Sequence, residues 1–220
     1  MIDEVERTFG IEVLEGYGLA ETASTTTFNV RRQERRIGSA GKPFYGVEVQ
    51  IWDARNRVAP TGRGHVGEVV VRGVNVMRGY HGDPRATAEA MTGGWLHTGD
   101  LGYLDEDGFL FLLGRKRDVI LRGGRTVYPR EVEDVLATHP AVAEAAVFGV
   151  PDERLGQEVR AVVVLRREQR IDEADLTAYV KERVASHKCP GAIEFREHLP
   201  INATGNILKS ELVEPSAWTG

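Results

Sequence analysis

The alternation of apolar and polar positions divides the chain into two differently built halves. Ile2, Val5 and Phe9 recur at helical spacing, and a short extended run, Ile11–Leu14, follows. Between Val47 and Leu113 the period shortens to that of strands. VEVQIWD alternates, GEVVVRG is a β-branched run between glycines, and FLFLLG follows a DEDG turn at Asp105–Gly108. One helix interrupts this half, DPRATAEAM, with Asp83 as its cap and Pro84 at its first position. Residues 40–113 therefore read as a compact, mainly antiparallel β unit.

The second half mixes periods. GRKRDVILRGGR is basic and punctuated by glycine, and a helix is expected over YPREVEDVLATHP, with Val132, Val135 and Leu136 on one face. The runs AVAEAAVFGV and RAVVVL, joined by the polar loop PDERLGQE, predict a strand pair. IDEADLTAYVKERVASHK predicts a second amphipathic helix capped by Asp172, with Leu176, Tyr179, Val180 and Val184 facing inward. An extended AIEF and the turn-and-helix segment LPINATGNILKSEL complete it. Helix–strand–strand–helix–strand is an α+β domain of about a hundred residues, an ordinary domain size. The expected boundary lies near Arg117, which divides the chain into residues 1–116 and 117–220. The fold class is α+β throughout.

Composition narrows the function. The chain is 41% hydrophobic and 28% charged, as globular proteins are, and its net charge of −5 gives no general affinity for nucleic acid. No apolar run is long enough to span a bilayer, and the acidic start MIDEVERTFG resembles no targeting peptide. One cysteine, Cys189, cannot form an internal disulfide and fits a reducing compartment, so a cytoplasmic location is expected. Oligomeric state is not legible. GSAGKP at Gly38–Pro43 fails as a phosphate loop, because two residues precede its Gly-Lys where four are needed. His187, Cys189 and His198 lack the paired spacing of a zinc site. Arg115–Arg125 holds four Arg and one Lys without interleaved aromatics. It reads first as a solvated loop and next as a loop for one small phosphorylated ligand.

Four further segments are weak singly and specific in order: GYGLAET at 16–22, GGWLHTGDLG at 93–102, GRKRDVILRGG at 114–124 and LPINATGNILK. Together with GSAGKPFYGVEV, GEVVVRG, VYPREVEDVL and VFGVPDERLGQEV, they make nearly the whole chain resemble the adenylate-forming (AMP-binding) superfamily, and acyl-CoA synthetases most of all. The resemblance covers the C-terminal part of such enzymes: the last β subdomain of the large domain, then a small mobile α+β lid domain. It implies ATP-dependent activation of a carboxylic acid through an acyl-adenylate to a CoA thioester, with ATP/AMP, Mg²⁺ and CoA as the ligands.

By motif, the resemblance assigns Gly16, Tyr17 and Gly18 to the nucleotide, with Tyr17 on adenine and Gly18 giving the backbone close approach. Glu21 would hold Mg²⁺, a cation that takes a carboxylate with phosphate oxygens. Asp100 and Arg115 would hold the ribose, Arg117 would be the hinge, and Gly123 and Gly124 would lie against pantetheine. For that glycine pair a plain loop is an equally good reading.

Three departures stand out. The chain starts just before GYGLAET, so the family's phosphate loop and most of the acyl pocket are expected outside it. Ala20 stands where the family usually has Thr or Ser, and Asn206 stands where the family has the lysine that approaches the adenylating phosphate. A neutral amide is a poor substitute for an ammonium there, so this chain alone is not expected to adenylate. The rival reading is a degenerate, non-enzymatic nucleotide- or partner-binding homologue. The particular acid is not legible.

Overall fold

A computed structural model describes residues 2–31, 34–203 and 205–213. Thr204, inside the LPINATGNILK motif, is outside the described residues. The chain divides into two compact units, Met1–Leu112 and Leu113–Gly220.

The first unit opens with α1 (Ile2–Phe9), then a small antiparallel sheet of β1 (Gly16–Tyr17), β2 (Thr27–Phe28) and β3 (Lys42–Pro43). GSAGKP thus runs from a turn into an edge strand, and the Lys42 ammonium lies over the Phe109 ring at 4.5 Å. A second sheet is built from β4 (Val47–Trp52), β5 (Gly67–Gly73), β6 (Met91–Thr92), β7 (Trp95–Leu104) and β8 (Leu110–Arg115), in the order β4-β5-β7-β6 with β8 also on β7. Val49, Ile51, Val69, Val71 and Leu110 bury one apolar cluster with Ala40, and Tyr17 packs on its margin. α2 (Pro84–Ala90) begins where the sequence places it: Asp83 Oδ1 accepts the Ala86 N–H at 2.8 Å.

In the second unit β9 (Ile120–Arg122) and β10 (Arg125–Val127) form a hairpin, and β9 joins a sheet ordered β10-β9-β12-β11, with β13 beside β12. Here β11 is Val142–Asp152, β12 is Gly156–Leu165 and β13 is Ala192–Phe195, the last parallel to β12. α3 (Pro129–Ala137) and α4 (Glu173–Lys181) supply Val132, Leu136, Leu176 and Val180 to a cluster with Val147, Val159, Ala161 and Val163. Alternate residues of the same strands, Ala146, Phe148 and Val162, bury the opposite face with Leu199 and with Leu212 of α5 (Ser210–Val213).

Three local expectations change. The basic glycine segment contains the β9–β10 hairpin. The PDERLGQE loop shrinks to residues 153–155, because β11 continues through Asp152, whose carboxylate accepts the Arg154 and Leu155 N–H groups and turns the chain. The second helix ends at Lys181 instead of running to Lys188. Ala185 is extended and a short 3₁₀ turn, Ser186–Lys188, follows; Arg122 pins it by donating to the His187 and Cys189 carbonyls at 3.1 and 3.2 Å.

Candidate nucleotide site

In the first unit, the strand-to-turn passage Gly16–Thr26 brings Tyr17 to Asp100. The Tyr17 hydroxyl donates to Asp100 Oδ2 at 2.5 Å, across 83 residues of sequence. Asp100 is only 7% exposed. It sits in a bulge of β7, where Glu68 pairs with Leu101 but Val70 pairs with His97. Thr98, Gly99 and Asp100 fill the bulge, and each is fixed. Thr98 Oγ1 donates to Val69 O at 2.7 Å, and the Asp100 N–H donates to Thr98 Oγ1 at 3.1 Å. Gly99, at φ +70°, donates its N–H to Glu68 Oε1 at 3.1 Å. Glu68 Oε2 in turn meets His97 Nδ1 at 3.2 Å. Sequence reasoning singled out Asp100 and passed over Thr98 and Glu68, which shape its loop.

The glycines of the first motif answer to the chain's own packing. A Cβ on Gly16 would lie 2.2 Å from the Phe28 ring, and one on Gly18 would lie 2.2 Å from Ser24 O. The loop folds back so tightly that Gly18 is required before any ligand is considered. Ala20–Thr22 forms a 3₁₀ turn, followed by Ala23 and Ser24 in the left-handed region at φ 49° and 73°. Two consecutive non-glycine residues there are strained, a feature that concentrates at functional loops. The Thr22 hydroxyl secures the turn, accepting the Leu19 N–H at 2.9 Å and donating to Leu19 O.

Glu21 projects from this turn, and its Oε1 accepts the Tyr80 hydroxyl at 2.8 Å. Among the described residues no three His, Cys, Asp or Glu side chains come together as a metal cage. A lone carboxylate such as Glu21 fits Mg²⁺ only in company with substrate phosphates and water, the way that cation is commonly held.

In the second unit the expected residues occupy four separate places. Arg117, with an 83% exposed side chain, lies in the 3₁₀ turn Lys116–Asp118, 3.7 Å from the Asp118 carboxylate. Gly123 and Gly124 are the two central residues of the hairpin turn, at φ +56° and +75°. The turn alone accounts for both. Asn206 is exposed in a turn closed by Asn202 N–H to Asn206 O and Asn206 N–H to Asn202 Oδ1, both 2.9 Å. Lys209 is committed elsewhere: its Nζ donates to Glu133 Oε1 at 2.7 Å and to Val147 O at 2.9 Å. It therefore does not stand in for the absent lysine. Arg115 is exposed at the end of β8.

The mixed α+β fold of the chain, mostly antiparallel sheet, is that of the adenylate-forming class, as its likeness to solved members of that class shows. The comparisons agree. The pattern of the AMP-binding enzyme family matches residues 1–81, and that of the AMP-binding enzyme C-terminal domain matches residues 131–206. The chain belongs to the AMP-binding enzyme family. It is 48% identical over 204 residues to a 2-succinylbenzoate–CoA ligase of Geobacillus kaustophilus, covering 92% of this chain and 41% of that one. It is 41% identical over 209 residues to a long-chain-fatty-acid–CoA ligase of Bacillus subtilis, covering 95% of this chain and 37% of the relative. Among solved structures, ATP-bound MatB from Rhodopseudomonas palustris superposes with a TM-score of 0.92 at 35% identity, over 99% of this chain and 43% of that one. The o-succinylbenzoate CoA synthetase of Bacillus subtilis, in complex with its acyl-adenylate, gives 0.84 at 38% identity, over 96% and 43%. The chain thus spans about two-fifths of the length of the relatives it matches.

Proposed function

We propose that residues 1–220 are the C-terminal part of an ATP-dependent acyl-CoA synthetase. The complete protein would convert a carboxylic acid, ATP and CoA to an acyl-CoA, AMP and pyrophosphate. The observation that carries this reading is the Tyr17–Asp100 hydrogen bond, which joins two motif residues that would act on one nucleoside. Held at its hydroxyl, the Tyr17 ring is set to stack on adenine. Asp100 keeps acceptor capacity for ribose hydroxyls, since a carboxylate offers about four lone-pair sites. Arg115 donates to the same ribose. Glu21 holds Mg²⁺, which supplies positive charge against the triphosphate. Residues 117–220 act as a lid turning at Arg117, and the Gly123–Gly124 turn then lies against the pantetheine arm. A reducing, cytoplasmic setting suits a protein using ATP and CoA and carrying one buried cysteine. No helix among the described residues is long and apolar enough to cross a membrane.

A second reading is favoured by Asn206 and Ala20: a homologue that binds nucleotide or a partner without forming adenylate. The deciding experiment uses a polypeptide of the relatives' length that carries residues 1–220. Acid-dependent ATP–pyrophosphate exchange, with thioester formation on adding CoA, is the expected result over a panel of aromatic and straight-chain acids. Nucleotide binding without exchange for any acid would select the second reading. The 220-residue chain alone is expected to give no exchange, because catalysis needs the reacting groups held in one preorganised site.

A further inference from the structure

Tyr80 lies 59 residues from Glu21, and its bond to the Glu21 carboxylate is one of a set. The Met77 N–H donates to Glu21 O at 2.8 Å. The Asn75 side-chain amide donates to Thr25 O at 2.7 Å and to Thr22 O at 3.3 Å. Residues 75–80 therefore grip the 21–25 turn by its backbone and by its one carboxylate. Tyr80 is itself gripped from behind. Its N–H donates to Thr87 Oγ1 at 2.9 Å, and the Thr87 hydroxyl donates to Asp83 O at 2.8 Å. Gly79, at φ +150°, passes so close to Thr87 that a Cβ would lie 2.7 Å from its methyl group. α2, which carries Thr87, buries none of its residues. Thr87, half-buried, ties this helix to the turn that carries Tyr80.

Tyr80 is 40% exposed, so the Glu21 carboxylate it holds is not sealed from solvent. A free glutamate side chain loses rotamer entropy when it is ordered on a ligand. A carboxylate already held by one oxygen has met much of that cost, and its remaining lone pairs stay open to a cation.

We propose that Tyr80, fixed by Thr87 of α2, is a positioning residue that presets the Glu21 carboxylate for a divalent cation bound together with nucleotide phosphates. This rests on the reading of Glu21 given above. Loss of a partner behind a metal-ligating carboxylate typically weakens metal binding about 10–100-fold. A single neutral donor belongs at the lower end, so about tenfold is expected.

The test uses a polypeptide of the relatives' length that carries residues 1–220, with Mn²⁺ and ATP as probes. Mn·ATP binding is followed by water-proton relaxation, and ATP binding without metal is followed in EDTA. Tyr80→Phe should weaken Mn·ATP about tenfold and leave metal-free ATP binding unchanged, while Glu21→Gln should abolish the metal-dependent increment. If Glu21→Gln removes the increment and Tyr80→Phe does not, this inference fails and the Glu21 reading stands. Equal weakening with and without metal by Tyr80→Phe would mean a merely structural tyrosine and also overturns it. A wild-type chain with no metal-dependent increment, or one untouched by Glu21→Gln, overturns both.

Discussion

Tyr17 and Asp100 come from different sheets of the first unit, and one 2.5 Å hydrogen bond ties the glycine turn to the bulge of β7. Tyr17→Phe keeps the ring against the Ala40–Leu110 cluster and deletes only the donor. Asp100, nearly buried, then loses one of its partners. A hydrogen bond to a charged acceptor contributes about 1.5–3 kcal/mol, and the lower end is expected because the tyrosine is only partly buried. Urea unfolding followed through Trp52 and Trp95, both in this unit, should show the loss. An unshifted midpoint would mean that the bond does not tie the two sheets together.

Lys209 and Glu133 make a second closed contact, within the other unit. Glu133 Oε1 accepts both Lys209 Nζ and the Val147 N–H, and Lys209 Nζ also donates to Val147 O. The two side chains are 23% and 17% exposed, so water screens them little. Lys209→Met should destabilise this unit by about 1–3 kcal/mol, because it leaves a half-buried carboxylate short of a donor. Amide exchange across 201–212 should also speed up, since α5 and the Ile201–Ile207 bridge follow the same anchor. Lys209→Arg should recover part of both effects. Exchange unchanged in the methionine variant would show that the turn carrying Asn206 is held by other contacts.

What the sequence reveals divides along physical lines. Long elements are legible, because β11 and β12 bury residues on both faces and so read as apolar runs on either side of a polar turn. The hairpin at Gly123–Gly124 is not. Its strands are three residues each, too short for alternation to register, and two arginines, Arg122 and Arg125, interrupt the apolar positions. The end of α4 is hidden in the sequence because Val184 extends the apolar stripe past Lys181, where the regular helix stops. At the candidate site, motif order located Tyr17, Glu21 and Asp100. Tyr80, Glu68 and Thr98 act by supporting those residues over long sequence distances, and no local spacing announces such partners.

Cys189 gives a prediction in pH. Burial raises its thiol above the ordinary cysteine value, with small opposing contributions from Lys181 and Arg122. In the unfolded chain the thiol ionises near about 8.5. The folded state holds the proton to higher pH, so the stability linked to this group is fully present below about pH 8.5. It is lost progressively as pH rises from there through the folded pKa. The urea midpoint of the second unit should therefore fall between pH 8 and pH 10 by more in the native chain than in Cys189→Ala, each compared with its own value at neutral pH. Identical slopes for the two proteins would place the alkaline loss on other groups.

Asn206 carries the sharpest functional prediction. In a polypeptide of the relatives' length, Asn206→Lys should speed acyl-adenylate formation. The residue is exposed at a turn whose closure uses the Asn206 backbone, with its N–H on Asn202 Oδ1 and its carbonyl on the Asn202 N–H. The side chain can thus change while those two backbone bonds remain. A lysine cation interacts more strongly with charge building on the phosphate than with ground-state ATP, and that difference is what accelerates a step. Removal of one preorganised donor of this kind typically costs about 10²–10³-fold in rate, so its addition could approach that range. Ala20, where the family usually has a hydroxyl, should hold the gain below the upper end. Release of a preformed adenylate by CoA should change little, since the lid would by then have turned this segment away. Single-turnover adenylate formation is measured beside CoA-dependent release. Equal acceleration of both steps, or none of the first, would show that position 206 never approaches the reacting phosphate.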